Sequence, residues 1–302
     1  MVTRVCFIFL DGLGLGPAEE TNPLASTTMP TIEHLLGHRL VLSEAQSASS
    51  LTFRPIDACL GVDGLPQSAT GQATLFTGLN AASAVGRHLP AFPNSELREI
   101  VERHSLLKRA VEAGKRATFA NAYSPQYWEL VKARRLRHSV TTYVNMAASL
   151  RFRDLEDLRR GEAVYWDITH WVMHQRNGTD IPLIEPEQAG RNLALLCRTH
   201  DLVLYESFLP DMVGHRRLPM PPSAALELID RFLGGVLDHL PDDTLLVLTS
   251  DHGNIEDMSS KTHTRHPVPL IAYGPGAERL WDVEDLTGVT PAILDVLSGG
   301  PA

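Results

Sequence analysis

Four short segments of the chain consist almost entirely of apolar residues. They lie at residues 5–10, 202–205, 244–249 and 270–273. Apolar runs of this length, rich in β-branched and aromatic side chains, predict strands that are buried on both faces of a sheet. Apolar residues at helical spacing lie between these runs, at residues 29–36, 70–79, 97–113 and 223–240. Strands that alternate with helices predict an α/β fold with a mainly parallel sheet.

The composition excludes several classes of protein. With 43% hydrophobic and 21% charged residues among 302, the chain is of ordinary globular composition, which argues against disorder, collagen and coiled coil. The net charge of −9 argues against nucleic acid as a partner, because binding a phosphate backbone needs a surplus of cations. The apolar run at residues 5–10 is too short to span a membrane, so no membrane partner is predicted.

Cysteine usage indicates a reducing compartment. Cys6, Cys59 and Cys197 are odd in number and widely separated, so they form neither a disulfide framework nor a CxxC metal motif. We therefore expect a cytoplasmic protein. The oligomeric state cannot be predicted from these features.

The sign of the charge changes along the chain. Residues 96–195 contain 16 Lys and Arg against 13 Asp and Glu, whereas the two flanks together contain 11 against 23. This middle segment includes a short predicted strand at residues 116–120 and a basic stretch at residues 132–138. A solvated helix face is the favoured interpretation of the basic stretch, and an anion site is the alternative. We expect residues 1–95 and 196–302 to form the core and residues 96–195 to form an inserted cap domain.

Acidic residues and histidines follow the predicted strands. Asp11 follows the first strand, Asp211 comes shortly after the run at 202–205, and Asp251 and His252 follow the run at 244–249. Because the carboxyl ends of parallel strands meet at one edge of a sheet, these side chains should lie close together. Clustered carboxylates are costly unless cations neutralise them. Two further histidines, at positions 215 and 263, supply the imidazoles that transition metals prefer. The pattern predicts a metal site.

A candidate nucleophile lies in the segment PQSATGQAT. Ser68 stands just before a predicted helix start, where the positive end of the helix dipole favours a phosphate or sulfate. The alternative is that Ser68, or Thr70, only caps the helix.

Several motifs together resemble the alkaline phosphatase superfamily, and most closely the metal-binding phosphatase domain of cofactor-independent phosphoglycerate mutase. The resemblance covers roughly residues 5–90 and 200–275. It is carried by DGLGLGPAEETNPLASTTMPTIEHLL, QSATGQATLFTG, PDMVGH, SDHGNIEDM and HTRHPVPLI, in the order of the family. The resemblance implies a three-layer α/β sandwich of the alkaline phosphatase type with a small inserted cap.

The resemblance also implies two divalent metal ions. Asp211, His215 and His263 would hold one ion. Asp11, Asp251 and His252, with the Ser68 oxygen, would hold the other. Mixed carboxylate and imidazole ligands suit Mn²⁺ or Zn²⁺ better, and Mg²⁺ is the further possibility. Ser68 would accept a phosphoryl group and form phosphoserine.

The segment that should bind the substrate departs from the mutase pattern. Residues 121–128 read NAYSPQYW where the mutases carry a Gly-Arg-Asp motif. Candidates for binding the substrate by polarity and position are Arg87, His88, Asn121, Tyr123 and Arg265. Because the motif that binds the substrate in the mutases is replaced here, we expect a phosphomonoester hydrolase that acts on a small phosphorylated metabolite. The alternatives are a phosphomutase, a phosphodiesterase and a metal-binding protein without catalysis.

Overall fold

A computed structural model describes residues 4–48, 50–177 and 179–299 and places a seven-stranded sheet at the centre of the fold. The strands are β1 (Arg4–Leu10), β2 (Gln46–Ala48), β3 (Leu51–Ile56), β4 (Ala117–Phe119), β5 (Leu202–Ser207), β6 (Thr244–Thr249) and β7 (Val268–Tyr273). Their order across the sheet is β2-β3-β7-β6-β1-β5-β4. The four strands β4, β5, β1 and β6 are neighbours and run parallel, and β3 shares their direction. The predicted mainly parallel sheet is confirmed.

Two strands on one side of the sheet were not predicted. β3 pairs antiparallel with β7, with Pro55 opposite Pro269, and β2 pairs antiparallel with β3. The β3 sequence LTFRPI contains an arginine and a proline, so it lacks the continuous apolar character that predicted the other strands. Proline also argues against a strand, because it cannot donate to the ladder.

Helices cover both faces of the sheet. They are α1 (Pro23–Ser26), α2 (Pro30–Leu36), α3 (Ser68–Thr77), α4 (Ala81–Ala84), α5 (Ser95–His104), α6 (Leu106–Glu112), α7 (Pro125–Lys132), α8 (Val140–Ala147), α9 (Leu155–Arg159), α10 (Trp171–Asn177), α11 (Pro186–Leu196), α12 (Leu209–Gly214), α13 (Pro222–Leu237) and α14 (Leu286–Ser298), with a 3₁₀ turn at Ala277–Leu280. In these ranges no helix has both the length and the apolar character needed to cross a membrane.

The side chains of β1 show how the layers form. Val5, Phe7 and Phe9 point to one face and pack in a cluster with residues of α3, α5, α6 and α14. The alternate residues, such as Ile8 and Leu10, pack on the other face with α2, α11 and α13. Because successive side chains of a strand point to opposite faces, a strand that is apolar throughout is covered on both sides. The predicted three-layer sandwich is confirmed.

The predicted helix at residues 97–113 is two helices in the structure. Ser105 adopts an extended conformation (φ −63°, ψ 145°) that ends α5 and begins α6. The apolar spacing continues across this break, with Val101 and Leu106 both fully buried. Hydrophobic periodicity reports which side chains face the core and is less sensitive to a change in helix direction.

The segment predicted to form a cap, residues 96–195, contributes to the central layers. β4 pairs with β5 at the edge of the sheet, and α5, α6 and α8 pack in the cluster that also holds β1. A separate small apolar cluster consists of Ala122, Leu158, Ala163, Met173 and Ile181. We therefore propose a cap smaller than residues 96–195, built around this separate cluster.

Candidate metal centre

The carboxyl ends of three adjacent strands bring the predicted metal ligands together. Asp11 directly follows β1, and Asp251 and His252 follow β6 after one residue. Asp211 lies in the first turn of α12, which begins just beyond β5. Because β5, β1 and β6 are neighbours, their carboxyl ends converge on one site.

The ligand atoms form two adjoining groups. In the first, His252 Nε2 lies 3.3 Å from Asp11 Oδ1 and 3.6 Å from Asp251 Oδ2. In the second, Asp211 Oδ1 lies 3.2 Å from His215 Nε2 and 3.6 Å from His263 Nε2. The His252 and His263 rings stack at 3.7 Å between centroids, so the two groups share a boundary.

Backbone carbonyls fix the orientation of the three histidines. His215 Nδ1 donates to the carbonyl oxygen of Lys261 (2.9 Å), and His263 Nδ1 donates to that of Pro66 (2.8 Å). His252 Nδ1 faces the carbonyl oxygen of Gly253 at 3.4 Å. With the proton on Nδ1, each ring presents the lone pair of Nε2 to the centre.

The Nε2 atoms of His215 and His263 lie only 3.1 Å apart. Two lone pairs at that separation repel each other unless a cation accepts both. The Asp211 carboxylate adds a negative charge beside them. Burial alone would lower the pKa of His263, but hydrogen bonding to Asp211 and Pro66 outweighs burial and raises that pKa. This half of the centre therefore favours positive charge.

The other half carries buried carboxylates that lack partners. Within the described ranges, Asp11 Oδ1 and both side-chain oxygens of Asp251 have no hydrogen-bond partner. Burial, followed by the charge of Asp211, raises the pKa of Asp251 to about 7. Burial and the charge of Asp251 likewise hold the pKa of Asp11 well above its usual range. Unpaired buried carboxylates need a cation or a proton, so the donor set fits divalent metals.

Ser68 faces this centre. Its Oγ lies 3.0 Å from His252 Nε2. Ser68 is the first residue of α3, and the preceding Gln67 takes the cap position. The alternative that Ser68 is only a helix cap is therefore wrong. The hydroxyl stands at the positive end of the helix, beside the group formed by Asp11, Asp251 and His252.

Two polar residues that the sequence did not single out hold the ligands in place. Gln72 lies one turn beyond Ser68 on α3 and donates from Nε2 to Asp11 Oδ2 (3.1 Å). Asn254 donates from Nδ2 to Asp211 Oδ1 (2.8 Å). Gln72 lies in the motif QSATGQATLFTG, and Asn254 lies in SDHGNIEDM. Gln72 could have been identified from the sequence, because a residue four positions after Ser68 lies on the same face of a helix.

A further buried acid, Glu206, was not identified from the sequence either. It lies near the end of β5, is 2% exposed, and accepts a hydrogen bond from Thr141 Oγ1 at Oε2 (2.6 Å). Its other oxygen has no partner in the part of the chain that the structure describes. Burial raises the pKa of Glu206 to about 8 despite the Thr141 bond. A single glutamate within an apolar run gave no signal in the sequence.

Of the five predicted substrate-binding residues, the structure brings two to the centre. A cavity of about 840 Å³ opens from Ser68, Asp211 and His263, and Asn121 and Tyr123 line it. Both amide atoms of Asn121 are used by the backbone of Glu206, so Asn121 fixes the strand end. Arg87, His88 and Arg265 do not line this cavity. His88 bonds the carbonyl of Val62, and Arg265 bonds that of Gly64.

Comparisons with known proteins agree with this geometry. The Metalloenzyme superfamily matches residues 188–299, which contain Asp211, His215, Asp251, His252 and His263. A 2,3-bisphosphoglycerate-independent phosphoglycerate mutase of Staphylococcus aureus is 36% identical over 105 residues, covering 32% of this chain and 21% of that protein. The similarity to the Metalloenzyme superfamily thus covers the part of the chain that contains five of the predicted metal ligands.

Two further proteins resemble the chain over very different lengths. A phosphopentomutase of Clostridium beijerinckii is 48% identical over 62 residues, which are 20% of this chain and 16% of the mutase. The alkaline phosphatase of the Antarctic bacterium TAB5 shares the fold, with a TM-score of 0.56 and 16% identity over 99% of this chain and 100% of that chain. The matched segments span about a fifth of the curated mutases' length. These similarities agree with the observed fold and with the pattern of the predicted ligands.

Gly12 is expected to be required for the position of Asp211. Gly12 has φ +77°, and a Cβ there would lie 2.8 Å from Asp211 Cα. We expect Gly12→Ala to lower the free energy of unfolding by about 2–4 kcal/mol, since the left-handed backbone and the clash both add cost. Gly37→Ala is the matched control, because Gly37 has φ +78° and nothing within 4 Å of its Cβ position. Urea unfolding of both variants measures the difference, and equal losses would show that the close approach to Asp211 is unimportant.

Proposed function

We propose that this chain is a two-metal phosphomonoester hydrolase that works through phosphorylated Ser68. The main support for this proposal is that Ser68 Oγ lies 3.0 Å from His252 Nε2, next to two groups of buried carboxylates and imidazoles. Asp211, His215 and His263 would hold one ion, and Asp11, Asp251, His252 and Ser68 the other. Three imidazole nitrogens in the set favour Mn²⁺ or Zn²⁺ over Mg²⁺.

The bound ions would lower the pKa of the Ser68 hydroxyl and stabilise negative charge around phosphorus. Ser68 Oγ attacks phosphorus, the bond from phosphorus to the ester oxygen breaks, and the departing alcohol receives the serine proton. Water then attacks the phosphoserine, the bond to Ser68 Oγ breaks, and Ser68 regains a proton as inorganic phosphate leaves. Gln72 keeps Asp11 oriented through both steps by its hydrogen bond to Oδ2.

The cavity beyond Ser68 supports a substrate with an apolar leaving group. Its apolar and aromatic lining includes Phe92, Tyr123, Tyr127, Leu130, Leu136, Trp166, Phe208 and Met212. The Lys and Arg side chains among its described lining residues are Arg137, Arg217 and Lys261, and all three are exposed. A volume of about 840 Å³ lies within the usual range for drug-sized ligands. Phosphoglycerate, with its carboxylate, would find no buried cation on this lining.

A phosphomutase is the second candidate, because the sequence relatives are a phosphoglycerate mutase and a phosphopentomutase. Both reactions share the first half, the transfer of a phosphoryl group to serine. They differ in the acceptor of the second half, which is water in the hydrolase and a hydroxyl of the retained substrate in the mutase. Retention needs groups that hold the dephosphorylated intermediate. The apolar lining is better suited to an apolar leaving group that departs.

Turnover of a substrate panel tests the proposal. The chain is depleted of metal, reloaded with Mn²⁺, Zn²⁺ or Mg²⁺, and assayed with p-nitrophenyl phosphate, sugar phosphates and 3-phosphoglycerate. We expect metal-dependent phosphate release, with kcat/KM for the aryl phosphate at least about tenfold above that for 3-phosphoglycerate, because ring burial adds binding energy.

The same reactions distinguish the alternatives. Formation of 2-phosphoglycerate from 3-phosphoglycerate without phosphate release would favour the mutase. A higher kcat/KM for 3-phosphoglycerate than for the aryl phosphate would contradict the apolar leaving group. Absence of any turnover with all three metals would argue against both enzymes.

A further inference from the structure

A second cavity, of about 630 Å³, lies at the other end of the sheet. Ala117, the first residue of β4, lines it, together with Leu196 at the end of α11 and His200 just before β5. β4 and β5 run parallel, with Ala117 opposite Leu202. The metal centre lies beyond the carboxyl end of β5, so this cavity, at the amino end, is a separate site.

A buried arginine lines this cavity. Arg153 is 4% exposed. Its Nη1 donates to the backbone carbonyl of Glu162 and its Nη2 to Thr118 Oγ1 (3.0 Å), and both acceptors are uncharged. Among the residues that the structure describes, its Nε has no hydrogen-bond partner, and no carboxylate forms an ion pair with Arg153. Burial and the nearby charge of Arg151 lower the pKa of Arg153, although the charges of Asp157 and Glu162 raise it.

Two further arginines line the cavity, and neighbouring carboxylates already engage them. Arg151 makes a two-pronged contact with Asp157 (2.7 and 2.9 Å). Arg160 contacts Asp157 Oδ1 (2.5 Å) and Glu162 Oε2 (3.0 Å). Three guanidinium groups therefore face two carboxylates around the cavity. The remaining positive charge belongs to Arg153, which is the most buried of the three.

We propose that this cavity binds a small oxyanion of the phosphate type, either inorganic phosphate or the phosphate group of a small metabolite. A buried cation without a counter-ion is costly, and an anion that enters the cavity removes that cost. Guanidinium groups suit tetrahedral oxyanions because their N–H groups donate in a fixed fork. Arg153 contacts the anion from the buried side, and Arg151 and Arg160 close around it from the exposed side. The proposal does not depend on the reaction at Ser68.

Isothermal titration of the metal-loaded full chain with inorganic phosphate tests the proposal. A parallel titration of the Ser68→Ala variant with glycerol 3-phosphate shows whether the cavity binds inorganic phosphate or the phosphate group of a small metabolite. We expect two phosphate sites, one at the metal centre and one in this cavity. Arg160→Gln and Arg153→Lys should weaken the second site by about tenfold or more and leave the first unchanged. Asp211→Asn should remove the first site and leave the second.

Arg159→Gln is the matched control. Arg159 is next to Arg160 but pairs with Glu156 and Asp180 and does not line the cavity. Its substitution should leave both sites unchanged. If Arg153→Lys does not fold, Arg160→Gln alone tests the second site. This variant is expected to fold, because Arg160 is exposed and Arg151 still pairs with the buried Asp157. A single phosphate site that disappears with Asp211→Asn, or a second site that Arg160→Gln leaves unchanged, would overturn the proposal. Loss of turnover at Ser68 would not affect this result.

Discussion

Replacing Ser68 by alanine is expected to lower phosphate release at least about 10³-fold while both divalent ions stay bound. The substitution removes the oxygen that attacks phosphorus. It leaves the three imidazoles and three carboxylates of the centre in place, and Asp11 keeps its hydrogen bond from Gln72. Steady-state kinetics with p-nitrophenyl phosphate and metal content by mass spectrometry measure the two effects separately.

Ser95→Ala is the matched control for this variant. Ser95 is the first residue of α5, as Ser68 is of α3, and it is exposed. Its substitution should change neither turnover nor metal content. Ser68→Ala turnover within about tenfold of the unsubstituted chain would exclude Ser68 as the nucleophile, since removal of an essential nucleophile has a far larger effect. Loss of metal together with turnover would indicate that Ser68 acts mainly as a ligand.

The arrangement of Asp11, Asp211 and Asp251 could be predicted because it follows from topology. Each acid comes after an apolar run, and parallel strands place the ends of such runs at one edge of the sheet. The structure joins these strands as neighbours, in the order β6-β1-β5. The apolar run before each acid, together with this rule for parallel sheets, was enough to predict that the three side chains lie close together.

Residues that depend on loop geometry could not be placed in this way. Arg87 and Arg265 lie close in sequence to the serine helix and to His263, yet neither lines the cavity. Arg265 instead turns to the carbonyl of Gly64. Sequence distance from a ligand does not fix the direction of a loop side chain, which backbone carbonyls and neighbouring turns decide.

Glu206 and Arg153 were missed for a different reason. Glu206 lies within an apolar strand, and Arg153 is one of many arginines in the basic middle segment. Burial makes each of them unusual, because an ionisable side chain with an unpartnered atom is rare inside a protein. The depth of a single side chain follows from tertiary packing, which hydrophobic periodicity does not report.

Replacing Asp211 by asparagine is expected to reduce the metal content from two ions to one and to lower kcat/KM at least about 10³-fold. Asp211 Oδ1 is the acid oxygen that His215, His263 and Asn254 all face. Asparagine keeps the shape but removes the negative charge, so the two imidazoles lose the carboxylate that completes their site. Burial raises the pKa of Asp211, but the close imidazoles of His215 and His263 outweigh burial and hold that pKa well below its usual range. Asp211 is therefore the ionised group whose charge the substitution removes.

Asp230→Asn separates this effect from the general cost of changing a buried carboxylate. Asp230 is 1% exposed and accepts hydrogen bonds from the backbone N–H groups of Thr31 and Ile32, on the first turn of α2. This control should lose stability in urea unfolding and keep both metals, because its carboxylate belongs to a helix start and not to the metal centre. Metal titration of the two folded variants compares them directly. Two ions bound to Asp211→Asn with unchanged affinity would refute the ligand assignment, and equal metal loss in Asp230→Asn would show that the site fails whenever the core is weakened.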